Sequence, residues 1–454
     1  MNQPSGSLRA GVLLHVSSLP SGRLGADSWR YIDWMVEAGF SVWQMLPLGV
    51  PLAGVSPYQC ASAFALNPAL FPEKLPEVLI DSPAFKDWYN GQHVWVEDYA
   101  LFMAIKHEYE CAPWVNWPTP LRLREANALM QFKLTHEAAI NAIIHQQYQL
   151  FMYWQTLRAY AFERGVDLFG DMPLFVAHDS ADVWAHPECF LLDEAGQPTF
   201  VAGVPPDYFS STGQRWGNPQ YDWVHLGSNG FAWWLDRLHY HFECFDLVRL
   251  DHFRGLVASW MIPAASETAM EGYWQDVPGA ILLQYIRERM GNLPLVAEDL
   301  GVITPDVEAL RHQFNLPGMS VLQFSFDEFA DNPHKPQNVT EDRVYYTGTH
   351  DNDTTLGWFD SLAPAAQSNV LNLLKVTQRS EVVGAMIALV LSSHARLAMI
   401  PMQDLLGLDS AARMNTPGTV DHNWQWRFDW AAIPSNLASE LRYQIEQTGR
   451  LNHA

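Results

Sequence analysis

The stretch FDLVRLDHFRG, Phe245 to Gly255, begins as a mostly apolar run and then places Arg249, Asp251, His252 and Arg254 within six residues. Side chains alternate along a strand, so Arg249 and Asp251 point one way and Leu250 the other, toward covering helices. A strand that ends in charge in this way delivers its last inward positions to a polar cleft. There Arg249 is placed to hold the Asp251 carboxylate through a charge-assisted hydrogen bond.

Seven more runs of the same kind flank it: GVLLHV from Gly11, SVWQMLPL from Ser41, LFGDMPLFV from Leu168, LPLVAED from Leu293, MSVLQFSF from Met319, RVYYTGTHD from Arg343 and ARLAMIPMQD from Ala395. Near-continuous apolar strands fit a parallel sheet covered on both faces, and helical segments such as GAILLQYIRERM from Gly279 separate several of them. Eight strands with crossover helices predict an α/β fold, a (β/α)8 TIM barrel. An open doubly wound sheet would carry a Gly-rich phosphate loop after its first strand, and SSLPSGRLG has neither GxGxxG nor a GK[ST] ending.

The runs are unevenly spaced, which predicts a single catalytic barrel over residues 1–454 with subdomain insertions between strands. A mainly helical insertion is expected at 48–165, after the second strand, with a helix from Glu137 to Arg164 that Gly165 closes as its C′ residue. An insertion and substrate-loop region is expected at 177–244, after the third strand. Its segment HPECFLLDEAGQPTFVAGVPPDYFSSTGQRWGNPQYDW is turn-rich and aromatic, the composition of an ordered binding loop.

Composition narrows the function. The chain has 454 residues, 48% of them hydrophobic, enough for a large core. Lys plus Arg number 27 against 50 Asp plus Glu, a formal charge of −23, which argues against nucleic acid and for a neutral or small substrate. The cysteines (Cys60, Cys111, Cys189, Cys244) form no CxxC pair, so neither a disulfide framework nor a zinc ribbon is suggested. With no signal-like or membrane-length apolar run, a cytoplasmic protein with no membrane partner is expected. Many aromatics stand in polar segments such as SPYQ, PPDYF, GQRWGNPQYDW and DHNWQWRFDW. Such rings stack on the apolar face of a sugar while neighbouring amides and carboxylates bond its hydroxyls.

Four of the strands end in an acid: Asp251, Glu298, Asp351 and Asp404. An Asp and a Glu facing each other across a cleft are the equipment of glycoside cleavage. Asp251 would attack the anomeric carbon. Glu298, near other carboxylates and away from Arg249, would be held protonated by neighbouring negative charge and act as general acid/base. Strand-end carboxylates also serve as caps and ion-pair partners, so the residues alone leave both roles open.

Seven segments then carry a family resemblance: SPYQCASAFALNP from Ser56, GDMPLFVAHDSADVW from Gly170, VAGVPPDYFSSTGQRWGNPQYDW from Val201, VRLDHFRG from Val248, VAEDLG from Val296, THDNDT from Thr349 and RMNTPGT from Arg413. In order and over nearly the whole chain, they resemble the 4-α-glucanotransferases, the amylomaltase or disproportionating enzyme family. The resemblance implies an α-amylase-like barrel with inserted subdomains, no structural calcium site, no cofactor and no metal among the catalytic and substrate-binding residues. It implies transfer of a segment of an α-1,4-glucan to a glucose or maltooligosaccharide acceptor by a retaining double displacement. Carried over by residue, it makes Asp251 the nucleophile, Glu298 the acid/base and Asp351 the transition-state stabiliser, and leaves Asp404 structural. Arg249 would orient Asp251, His252 and His350 would bond sugar hydroxyls, and Tyr58 would stack nearby. Tyr208, Phe209, Gln214 and Trp216 would belong to a flexible loop over the cleft, and Asn415 would contact the same region.

The chain departs from the family at SSLPSGRLGADSW and inside SPYQCASAFALNP, sparing the named positions. It starts almost on its first strand, so no N-terminal glycan-binding domain, and no binding of large glycogen or starch through one, is expected. His239 and His241 with Glu243 diverge on a helix, and HEYEC from His107 lacks HExxH spacing. Asp179 and Asp182 are expected to cap a helix. No GxSxG elbow supports a serine triad. Rival functions are a retaining α-1,4-glucan hydrolase, which gives the same intermediate to water, and a catalytically inert glycan-binding barrel.

Overall fold

Eight of the apolar runs form parallel strands: β1 (Arg9–Leu13), β2 (Val42–Gln44), β3 (Asp167–Met172), β4 (Leu247–Leu250), β5 (Leu295–Ala297), β6 (Gly318–Val321), β7 (Arg343–Tyr346) and β8 (Leu397–Pro401). In this computed structural model, which describes residues 7–52, 54, 56–206, 210–419 and 421–452, they pair in the order β6-β7-β8-β1-β2-β3-β4-β5. Each strand therefore neighbours its sequence neighbours. The ring is drawn together between β5 and β6 by the Ala297 amide, which donates to the Pro317 carbonyl at 2.8 Å. All eight strands read from the sequence are present, as a nearly closed (β/α)8 barrel.

The period of two along each strand divides the barrel into an apolar floor and a polar mouth. Val42, Phe169, Val296, Met319, Val321, Val344, Tyr346, Leu397 and Met399 fill the interior as one cluster. Val248 and Leu250 turn the other way and join the larger cluster beneath the helices. Two residues beyond the interior Phe169, the same face of β3 presents Asp171; beyond Leu247, β4 presents Arg249 and then Asp251; beyond Val296 comes Glu298. Gln44 and Tyr346 mark the change of layer, the Tyr346 hydroxyl donating to Gln44 Oε1 at 2.9 Å.

Between β2 and β3 the long helices Pro83–Glu108 and Glu137–Glu163 pack against each other. The second ends at Gly165, whose φ of 71° lets the chain turn back so that the Val166 amide reaches the Ala161 carbonyl at 2.9 Å. The region after β3 holds more regular structure than its turn-rich sequence suggests. Phe200–Val204 and Gln214–Pro219 pair antiparallel and continue through Ala258–Pro263 to Tyr273–Asp276, a four-stranded sheet beside the barrel. The backbones approach closely at Gly203, where a Cβ would stand 2.1 Å from the Gln214 carbonyl oxygen. Half of this sheet is supplied by the chain after β4, so local sequence could not reveal it.

Asp179 and Asp182 do not cap a helix. Ser180 caps Ala181–Ala185, its short hydroxyl accepting from the Val183 amide. The two carboxylates are drawn elsewhere: Asp179 pairs with Lys106 at 2.5 Å, and Asp182 accepts from the Ala63 amide at 2.8 Å. His239 pairs with Glu243 one turn along the helix at 3.3 Å, while the half-buried His241 ring bonds the Arg237 carbonyl at 2.9 Å, so the three do not converge. No helix among the described residues is long and apolar enough to cross a membrane.

Candidate active site

The centre of the barrel mouth is Arg249, whose side chain is 5% exposed. The β3–β4 register sets Asp171 opposite Arg249, and Arg249 Nη1 donates to both Asp171 oxygens, at 2.9 and 2.8 Å. Its Nη2 pairs with Asp251 Oδ1 at 2.7 Å. One guanidinium thus ties a wholly buried carboxylate to one that is 30% exposed to the cleft. Among the described residues, the other Asp251 oxygen has no protein partner.

Asp171 also anchors the next wall. The Tyr58 hydroxyl donates to Asp171 Oδ2 at 2.7 Å and lies 2.8 Å from His350 Nε2; the Tyr58 and His350 rings stack with centroids 5.4 Å apart. His350 Nε2 stands 3.4 Å from Asp351 Oδ2, and Asn415 Nδ2 donates to Asp351 Oδ1 at 2.6 Å. Arg413 buttresses this corner, donating to the Asp351 carbonyl at 2.7 Å and to the Asn415 carbonyl at 2.8 Å. Trp424 closes over it, 5.9 Å from the Tyr58 ring and 6.0 Å from the His350 ring.

Glu298 follows β5 on the opposite side of Arg249's reach. Its oxygens accept from the backbone amides of His252, at 2.8 Å, and Leu300, at 2.9 Å. Burial pushes its carboxyl up to about 7; Arg249 opposes that shift and the Asp251 charge adds to it. The sequence-based expectation assigned the shift to neighbouring negative charge, away from Arg249. Burial is the larger cause, and Arg249 is close enough to act against it. A carboxyl poised near neutrality can give a proton in one step and take one in the next.

His252 sits at φ 54°, ψ 49°, in the left-handed region that β-carbons disfavour. This conformation is what turns its amide to Glu298 and its ring to the cleft, where Trp216 meets it edge-on at 4.9 Å. Burial lowers the His252 ring to about 4, so it is neutral, and its Nε2 is itself buried with no hydrogen-bond partner among the described residues. Trp216 and Gln214 lie on the same strand of the side sheet, Trp216 Nε1 donating to Gln214 Oε1 at 3.1 Å. Tyr208 and Phe209 lie outside the described residues.

The mouth therefore brings together Tyr58, Arg249, Asp251, His252, Glu298, His350, Asp351 and Asn415, with Trp216 and Gln214 along the outer wall. The sequence reading missed three members. Asp171 was hidden because LFGDMPLFV reads as one uninterrupted strand, although its Asp is the strand's inward penultimate residue. Arg413 and Trp424 stand in segments singled out for other reasons, and only their contacts identify them. Asp404, the fourth strand-end acid, stands apart: it is 2% exposed, with both oxygens engaged by Thr347 and Thr355.

Known proteins agree with this architecture. A family model described as 4-alpha-glucanotransferase matches residues 14–74 and 69–432. A 4-alpha-glucanotransferase of Thermus thermophilus is 45% identical over 495 aligned positions, covering 97% of this chain and 99% of that protein. One from Synechocystis is 42% identical, covering 97% and 98%. Among solved structures, amylomaltase from Streptococcus agalactiae in complex with acarbose superposes with a TM-score of 0.92 at 32% identity, over 98% of this chain and 100% of that one. A maltogenic α-amylase from Thermotoga neapolitana, at 11% identity and a TM-score of 0.52, shares the fold alone. By family model, sequence relatives and fold, the chain belongs to the 4-alpha-glucanotransferase family and is an enzyme of that activity.

Proposed function

We propose that Asp251 is the nucleophile, Glu298 the general acid/base and Asp351 the group that stabilises the transition state, in a retaining double displacement on α-1,4-glucan. The observation that carries this assignment is the asymmetric hold on Asp251. Arg249 fixes one oxygen at 2.7 Å and leaves the other open to the cleft, beside a Glu298 carboxyl poised near 7. In the first step the open Asp251 oxygen attacks the anomeric carbon as Glu298 protonates the leaving glycosidic oxygen. In the second, Glu298 takes the proton of an acceptor hydroxyl, which displaces Asp251. Asp351, held by Asn415 and facing His350, bonds ring hydroxyls most strongly as the sugar flattens toward an oxocarbenium-like state.

Donors are α-1,4-glucans, and acceptors are glucose or maltooligosaccharides. The aromatic wall of Trp216, Tyr58 and Trp424 supports sugar over water as acceptor, because stacked rings exclude water and favour the apolar face of a pyranose. We read residues 48–165 and 177–244 as insertions on one catalytic barrel, supported by the helix pair in the first and by two strands of the side sheet, Phe200–Val204 and Gln214–Pro219, in the second. A cytoplasmic location is supported by four free cysteines. Maltotriose tests the function: transfer yields glucose plus a ladder of longer maltooligosaccharides with reducing ends constant. A rise in reducing ends as fast as glucose appears would replace transfer by hydrolysis.

A further inference from the structure

Away from the cleft, the turn Pro187–Cys189 and the helix Trp223–Ser228 bring a carboxylate, a thiol and an imidazole together. A ligand atom from each of Glu188, Cys189 and His225 lies within 4.8 Å of the other two. From these three side chains we propose a binding site for a single thiophilic divalent cation of the zinc type, completed by water.

The backbone holds the two segments in place before any ion arrives. The Asp222 amide donates to the Cys189 carbonyl at 2.8 Å, Phe190 and Tyr221 form an antiparallel bridge, and their rings stack at 5.2 Å. Asp222 then caps the helix through the Val224 and His225 amides, which sets the position of His225. Beyond that, the His225 ring makes one long contact, 3.4 Å from Nε2 to Asn229 Nδ2. Glu188 is oriented by His186, whose Nδ1 is 3.6 Å from Oε1. A cavity of about 260 Å³, lined also by His186 and Asp236, reaches Glu188 and Cys189 and gives an ion a path to the buried thiol.

The donor set selects the ion. Sulfur, nitrogen and one carboxylate oxygen match tetrahedral zinc with an open fourth position, whereas magnesium and calcium require oxygen ligands. Binding breaks the Cys189 S–H bond, forms a sulfur–metal bond and releases one proton to solvent. The ion would staple two segments that flank the aromatic wall: Tyr221 stacks on Phe175, which lies 6.3 Å from both Trp216 and His252. Occupancy should therefore stabilise the region behind the cleft.

Cobalt(II) added to the reduced full-length protein tests the site. A sulfur-to-cobalt charge-transfer band, one equivalent per chain and displaced by zinc, is expected. It should vanish in Cys189→Ser, persist in Cys111→Ser, which removes the exposed cysteine, and need at least about tenfold more cobalt in His225→Gln. Zinc should raise the melting temperature of the wild type and not of Cys189→Ser. No charge-transfer band in the wild type, or a band that survives Cys189→Ser, would overturn the proposal. If Cys189→Ser fails to fold, unchanged cobalt affinity in His225→Gln would do the same.

Discussion

Just beyond the mouth ends of β4 and β8 the chain places an aspartate, Asp251 directly after β4 and Asp404 in the short helix Met402–Leu405 after β8, and the two acids live in opposite circumstances. Asp404 is enclosed, one oxygen taking the Thr355 amide at 2.7 Å and the other the hydroxyls of Thr347 and Thr355, at 2.5 and 2.7 Å. Asp251 has one oxygen tied by Arg249 and the other facing the cleft. A saturated carboxylate joins strand to helix, while one with an oxygen left open to the cleft suits the nucleophilic role proposed for Asp251. The sequence sign, an acid at the end of an apolar strand, is identical in both. What separates them is whether threonines from neighbouring segments fold back to occupy the oxygens.

Breaking the β4 side should cost the most. Asp251→Asn removes the proposed nucleophile, and turnover of every donor should fall at least about 10⁴-fold in steady-state assays. Glu298→Gln should lower turnover of maltooligosaccharides about 10²–10⁴-fold. A glucosyl fluoride, which needs little acid help, should still load that variant, and the added glycosyl group should appear in its intact mass.

In its proposed acid/base role, Glu298 should also set the pH profile of the wild type. Its protonated form donates to the leaving oxygen, so glycosyl-enzyme formation should fall as pH rises through about 7. Its ionised form serves as base, so transfer to the acceptor should weaken as pH drops below that value. Single-turnover rates measured separately for the two steps with maltooligosaccharide donors should show these opposite limbs.

Asp351→Asn comes next, with kcat expected to drop about 10²–10³-fold and KM to change little, because the bonds proposed for Asp351 tighten in the transition state. A large KM change with normal kcat would make Asp351 a uniform binding group instead. Trp216→Ala should leave the chemistry within about tenfold and raise the ratio of hydrolysis to transfer, read from reducing ends released per glucose. The smallest effect on rate belongs to Asp404→Ala. It should leave kcat of the folded enzyme unchanged while lowering stability by about 3 kcal/mol in denaturant unfolding, the loss of a buried, multiply bonded acid. A kcat collapse in that variant would erase the contrast between the two strand ends.

The barrel strands were legible because each is a short apolar run whose polarity changes at one end, and because side-chain alternation puts Arg249 and Asp251 on one face without knowledge of any neighbour. The side sheet was not legible, since Phe200–Val204 finds a partner in Ala258–Pro263 across the whole of β4. The cause of the Glu298 shift was also hidden. Burial depends on how the loops close over a residue, and a list of nearby charges in sequence cannot report it.

By itself the sequence determined the number and order of the strands and the placing of Arg249 and Asp251 on one face of β4, since these follow from local alternation and local composition. Only the tertiary structure decided that Asp171, distant in sequence, is the buried partner that aligns Arg249 and Tyr58, that Asp404 is saturated, and that Glu188, Cys189 and His225 meet. Those are relations between strands, loops and helices brought together by register and closure. Strong electrostatic and hydrogen-bonding effects act over a few ångströms, so they are settled by which segments fold side by side.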